Sequence, residues 1–175
     1  MIEPGSVSMI GNFLLVEDST IDDLLRTPER IHELLDERVY EADAAVDYVD
    51  VDKAWHALHF LLTGTAWEGE PPLNFIAAGG EAIGDEDVGY GPARALRSVE
   101  VAALASVLAA ISPRTLLERY DGPKMDRLEI YPAGWAQYDP VGADDFAYYA
   151  GAYEALVALV REGAARKRGL LIWLS

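Results

Sequence analysis

The residues best placed to do chemistry lie in VDVDKAWHALHFLLTG, residues 49–64, which carries two of the chain's 3 histidines. At about 100° per residue, Asp52, His56, His59 and Thr63 fall on one narrow helical stripe, because their spacings are four, three and four. Trp55, Leu58, Phe60, Leu61 and Leu62 occupy most of the remaining circumference, so the helix is expected to be largely buried. A polar stripe on such a helix must meet partners or a cavity, since buried imidazole nitrogens need hydrogen bonds. Three readings stay open. The histidines are bonded inside the core; or they line a ligand or catalytic pocket where an imidazole works near neutral pH; or Asp52, His56 and His59 bind a metal. The last is disfavoured, because HExxH spacing is absent and no cysteine or further nearby histidine completes a ligand set. No metal is expected and no cofactor is indicated.

A second cluster, EIYPAGW, joins Glu129, Tyr131 and Trp135 in a stretch whose Pro and Gly let the backbone bend around a ligand. The candidate pocket is therefore Asp52, His56 and His59 facing Glu129, Tyr131 and Trp135, with Asp52 orienting the ring of His56. The alternative for the second cluster is an aromatic plug closing the core under a loop.

Other motifs fail on their chemistry. The glycines of AAGGEAIGDEDVGYGPAR lie among Asp85, Glu86 and Asp87, which would repel phosphate, and neither a dinucleotide fingerprint nor a Gly-Lys-Ser/Thr pair is present. Hairpin turns explain them better. The EF-hand spacing is missing, and no serine sits in a G-x-S-x-G elbow. The absence of cysteine excludes disulfides, thiol nucleophiles and cysteine-ligated metals.

These residues must be positioned by a chain of 175 residues, 51% hydrophobic and 25% charged, a size and composition suited to one folded domain. Residues 1–8 are expected to be a disordered extension and 9–175 the domain. MIGNFLLV and LLIWL read as buried strands near the two ends. Thr20 with Asp23, and Thr27–Pro28, mark two short helices. Residues 40–48 read as loop, 50–63 as helix stopped by Gly64, LNFIAAGG and its continuation as strand, turn and strand, and YGPARAL as extended. Ser98 and Ser112 look like N-caps. A long helix is expected from about Asp144 to Lys167, with Phe146, Tyr149, Tyr153, Leu156, Val157 and Val160 inward. The expected fold is a single α+β domain: a small, mostly antiparallel sheet of about four strands packed with about six helices.

The net charge is −16, and Glu17 to Asp52 alone holds 13 acids and 3 bases. Such a balance argues against nucleic acid as a partner. No apolar run approaches the roughly 18 residues that span a bilayer, and MIEPGSVS lacks the order of a signal peptide, so no membrane partner and a cytoplasmic location are expected. Two kinds of partner fit: a small-molecule ligand in the histidine pocket, or a basic protein bound by the acidic segment, as in an inhibitor or immunity protein.

MIGNFLLV, DKAWHALHFLLTG, GYGPAR, EIYPAGW and LLIWL together resemble the YfbM-like family, small bacterial proteins grouped under a domain of unknown function. The resemblance runs from about Met9 to the end and implies an α+β fold. It implies no activity, cofactor or catalytic residue.

Overall fold

The computed structural model describes residues 8–138 and 145–175. The expectation for residues 1–8 therefore lies almost wholly outside the described residues, as does Asp144, the expected start of the long helix. A five-stranded sheet in the order β2-β1-β5-β4-β3 has every neighbouring pair antiparallel. Its strands are β1 (Gly11–Val16), β2 (Tyr48–Asp50), β3 (Glu81–Asp87), β4 (Pro92–Leu96) and β5 (Gly169–Leu174).

Strands β1 and β5 pair along their whole length at the centre, from Gly11 opposite Leu174 to Val16 opposite Gly169. Successive side chains of a strand point to opposite faces. On one face Phe13, Leu15, Leu170 and Ile172 join a core with the helices α3 (Trp55–Thr63), α4 (Ser98–Ala109) and α7 (Phe146–Ala165). On the other, Leu14, Val16, Leu171 and Trp173 pack with α1 (Asp18–Arg26) and α2 (Arg30–Leu35). Helices cover both faces, so both strands read as continuous apolar runs rather than alternating ones. Gly11 is required at the centre, because an added Cβ would stand 2.6 Å from Cβ of Trp55 where α3 crosses the sheet.

Seven α-helices are present among the described residues, with α5 (Pro113–Leu117) and α6 (Gly122–Arg127) completing the set. The fold is α+β as expected, with one strand and one helix more than foreseen. The extra strand is β2, inside and just beyond the stretch read as loop. Three residues long, it is fastened by Tyr48, whose hydroxyl donates to Asn12 Oδ1 at 2.5 Å and whose ring stacks on Trp173. LNFIAA, expected to be a strand, is a run of turns at residues 73–78, and the hairpin begins only at Glu81.

Ser112 caps α5 by accepting from the Thr115 N–H at 3.1 Å. Ser98 is instead the first residue of α4: the N-cap is Arg97, while the N–H and hydroxyl of Ser98 both donate to Asp18, at 2.9 and 2.6 Å. Thr20 likewise falls inside α1, whose N-cap is Glu17. In α7, Tyr149, Tyr153, Leu156 and Val160 are buried, whereas Phe146 and Val157 are only partly so. The basic residues after α7 do more than meet the helix dipole: Arg166 pairs with Asp47 at 2.6 Å and Arg168 with Glu17 at 2.7 Å. No helix among the described residues is long and apolar enough to cross a membrane.

Candidate functional site

Helix α3 carries the two histidines through the middle of the larger core. It follows a short 3-10 turn at Asp52–Ala54 and ends at Gly64, whose φ of 75° suits a residue without Cβ. Every residue from Trp55 to Leu62 is buried. His56 and His59 are 1% and 0% exposed.

His56 has a partner at each nitrogen. Nε2 lies 2.8 Å from the carbonyl oxygen of Ala66, and Nδ1 lies 2.8 Å from the N–H of Tyr131. A carbonyl only accepts and an amide only donates, so the ring is the neutral tautomer carrying its proton on Nε2. It is stacked on Trp55 at 4.6 Å and capped by Trp67 at 4.5 Å. Burial holds its pKa below the ordinary histidine value, against the pull of the Ala66 carbonyl. Such a ring ties three segments together: α3, the loop after it and EIYPAGW.

His59 differs, since neither ring nitrogen meets a hydrogen-bond partner. Burial, then the neighbouring His56, push its pKa down to about 4. The Glu68 backbone pulls the other way and lies close, but it does not reach bonding geometry. The ring is neutral at pH 7, and the cation of Arg94 adds slightly to the same displacement.

The structure thus joins His56 directly to EIYPAGW through the Tyr131 N–H, in a buried contact. The carbonyl and N–H of the backbone orient His56; Asp52 does not. Asp52 sits at the surface, with φ 50°, and accepts from the Tyr148 hydroxyl at 2.9 Å. Glu129 is exposed, with φ 55°. The Tyr131 hydroxyl accepts from the Met9 N–H at 3.1 Å, and the buried Trp135 donates from Nε1 to Ile130 at 2.7 Å. This segment matches the aromatic plug better than a pocket wall. Its bend is held by Asp126, whose carboxylate accepts from the N–H groups of Gly134, Trp135 and Ala136 and is thereby held below the usual carboxylate range. Among the described residues no group of three or more His, Asp or Glu is placed to hold a metal.

The loop that His56 holds leads into an open cleft. Thr65 donates to Glu68, Asn74 Nδ2 donates to Gly69 at 3.0 Å, and the chain then turns through residues 71–78. Arg94 of β4 fixes this turn from beneath. Its guanidinium donates to the carbonyls of Phe75 at 3.0 Å, Ile76 at 2.6 Å and Gly79. No carboxylate is among these partners, and burial alone lowers its pKa to about 10, so the cation persists at neutral pH. Between the turn, the start of β3, the end of β4 and the first turns of α4 lies a half-open cleft of about 600 Å³. Ile21, Pro72, Ala95 and Leu96 give it apolar walls; Asn74, Glu81, Arg97 and Glu100 give it polar ones. A smaller cleft of about 430 Å³ runs between α4 and α7 beside Tyr153.

Residues 7–173 match the family described as a domain of unknown function, DUF1877. The chain belongs to this family. Protein YfbM of Escherichia coli (strain K12) is 27% identical over 129 residues, covering 72% of this chain and 74% of that protein. The crystal structure of YfbM from Escherichia coli, titled a protein of unknown function, superposes with a TM-score of 0.66 at 23% identity, covering 95% of this chain and 99% of that one. At this distance the likeness concerns the fold. Within this DUF1877 chain, neither Arg94 nor Asn74 stands in a motif that the sequence marks. The one available signal was a lone arginine in the apolar run ARAL, at a position a strand buries.

Proposed function

We propose that the protein is a small-molecule binding domain, with its ligand seated in the cleft between the 71–80 turn, β4 and α4. The observation that carries this is the cleft itself: about 600 Å³, half-open and lined by both apolar and polar groups, which lies within the range of ligand pockets. The clamp beneath it supports the same reading. A part-buried arginine with no carboxylate among its partners is costly, and here its donors go to three carbonyls of one wall. That expense secures the shape of a turn, and a preformed wall lowers the entropy lost when a ligand binds. His56 belongs to this site as a support rather than a contact, since it grips Ala66 at the start of the loop that leads to the cleft.

The test is a ligand-observed NMR fragment screen on the wild-type chain and on Ala103→Trp. Ala103 lines the cleft from the exposed side of α4, so an indole there fills it without entering the core. Fragments that bind the wild type and lose binding in Ala103→Trp are expected; hits that persist unchanged in the variant would overturn the assignment.

A basic protein partner is the second reading, favoured by the acid excess of Glu17 to Asp52. It stands second because Glu17, Asp22, Asp23 and Asp47 already pair with arginines of this chain.

A further inference from the structure

The lining of the cleft also selects a chemical class. The guanidinium of Arg97 at its rim is bonded to Asp22 at 2.6 Å and lies in the field of Asp18 and Glu81. Glu100, another lining residue, accepts from the Arg97 N–H at 2.6 Å through one oxygen. Three carboxylates thus act on the rim guanidinium, a fourth, Glu100, takes the backbone N–H of the same residue, and the part-buried Arg94 beneath the turn offsets only one more charge.

The first turn of α4 would ordinarily attract an anion, but this chain supplies its own. Asp18 takes the N–H and hydroxyl of Ser98, and Glu100 takes the N–H of Arg97. An incoming carboxylate or phosphate finds those donors occupied and meets Glu81 and Glu100 on the way in. A cation is attracted by the same groups, within a chain whose net charge is −16. Ile21, Pro72 and Leu96 offer apolar surface beside this charge.

Resting on the binding reading above, we infer that the cleft takes a small organic amine: a compact apolar body against Ile21, Pro72 and Leu96, with its ammonium or guanidinium head toward Glu81 and Glu100.

The test uses phenethylamine and phenylacetate, which share a body and differ in the sign of the head, titrated by NMR into the full chain, Glu81→Gln, Glu100→Gln and Ala103→Trp. Glutamine at position 100 keeps an oxygen for the Arg97 N–H, and thermal melts of each variant check that it folds. The amine is expected to bind more tightly than the acid, to weaken about threefold in each glutamine variant, as partly screened charges do, and to lose binding in Ala103→Trp. Phenylacetate binding as tightly as the amine, with loss in Ala103→Trp, would overturn the amine inference and leave the cleft standing as a ligand site. Binding of neither compound up to about 10 mM, an energy of only a few kcal/mol, would overturn both.

Discussion

Replacing His59 by leucine should stabilise the protein, and more so in mild acid. At pH 7 the ring is neutral and 0% exposed with neither nitrogen partnered. Burying an unsatisfied polar atom costs about 1–3 kcal/mol, so a leucine of similar size should gain about 2 kcal/mol, or about 6 °C in Tm for a chain of this length. The pH term then adds. The folded pKa of about 4 lies below the ordinary 6.5, so between these values the unfolded chain binds a proton that the folded chain refuses. Stability is therefore fully present above 6.5 and falls as pH drops, and the loss nears completion at 4. A shift of this size is worth about 3 kcal/mol. His56 is displaced in the same direction and both proteins retain it, so the difference between them reports His59 together with its coupling to His56. Asp87 and Asp126, held below 3.8, lose their contributions only below that value and outside this window. Urea unfolding followed by tryptophan fluorescence from about pH 7.5 to about pH 4.5 reads the difference directly. A gap that stays constant through that range, or a leucine variant less stable than wild type at pH 7, would refute the reasoning and show that the ring is bonded.

Other expectations follow from the same contacts. His56→Ala strands the Ala66 carbonyl and the Tyr131 N–H and removes the ring packed against both Trp55 and Trp67; a loss of about 3 kcal/mol is expected in thermal melts, with a red shift in emission as Trp67 loosens. Arg94→Met leaves the carbonyls of Phe75, Ile76 and Gly79 without their donor, so hydrogen exchange should speed up in residues 71–80 before the rest of the molecule, with about 3 kcal/mol lost overall. Removing residues 170–175 deletes most of the strand that pairs with both β1 and β4, which exceeds the usual margin of about 5–15 kcal/mol; calorimetry should find no cooperative transition.

How far the sequence is legible depends on how local each signal is. The runs in β1 and β5 announce themselves because both faces of those strands are buried, and α3 does so because it is apolar all round and stops at Gly64. β2 does not: three residues carry no periodicity, and the strand exists because Tyr48 reaches Asn12 and Trp173, the latter more than a hundred residues away in sequence. LNFIAA has the residues of a strand yet turns, because Arg94 gathers its carbonyls from beneath. The same tertiary logic governs the candidate site. Spacing puts two histidines on one stripe, of which His56 meets EIYPAGW at the Tyr131 N–H, but spacing does not distinguish a ring bonded to backbone from a ring facing a cavity, because both of His56's partners are main-chain atoms. The open cleft is assembled from three stretches far apart in sequence, at Ile21, residues 71–81 and residues 95–103, and carries no motif of its own.

A crystallographic fragment soak tests most directly whether the cleft is the ligand site and His56 its support. Density is expected between Pro72, Leu96 and Ala103, with His56 still bonded to Ala66 and Tyr131. Fragments recurring between α4 and α7 beside Tyr153, or against an uncovered His56, with this cleft empty, would contradict it.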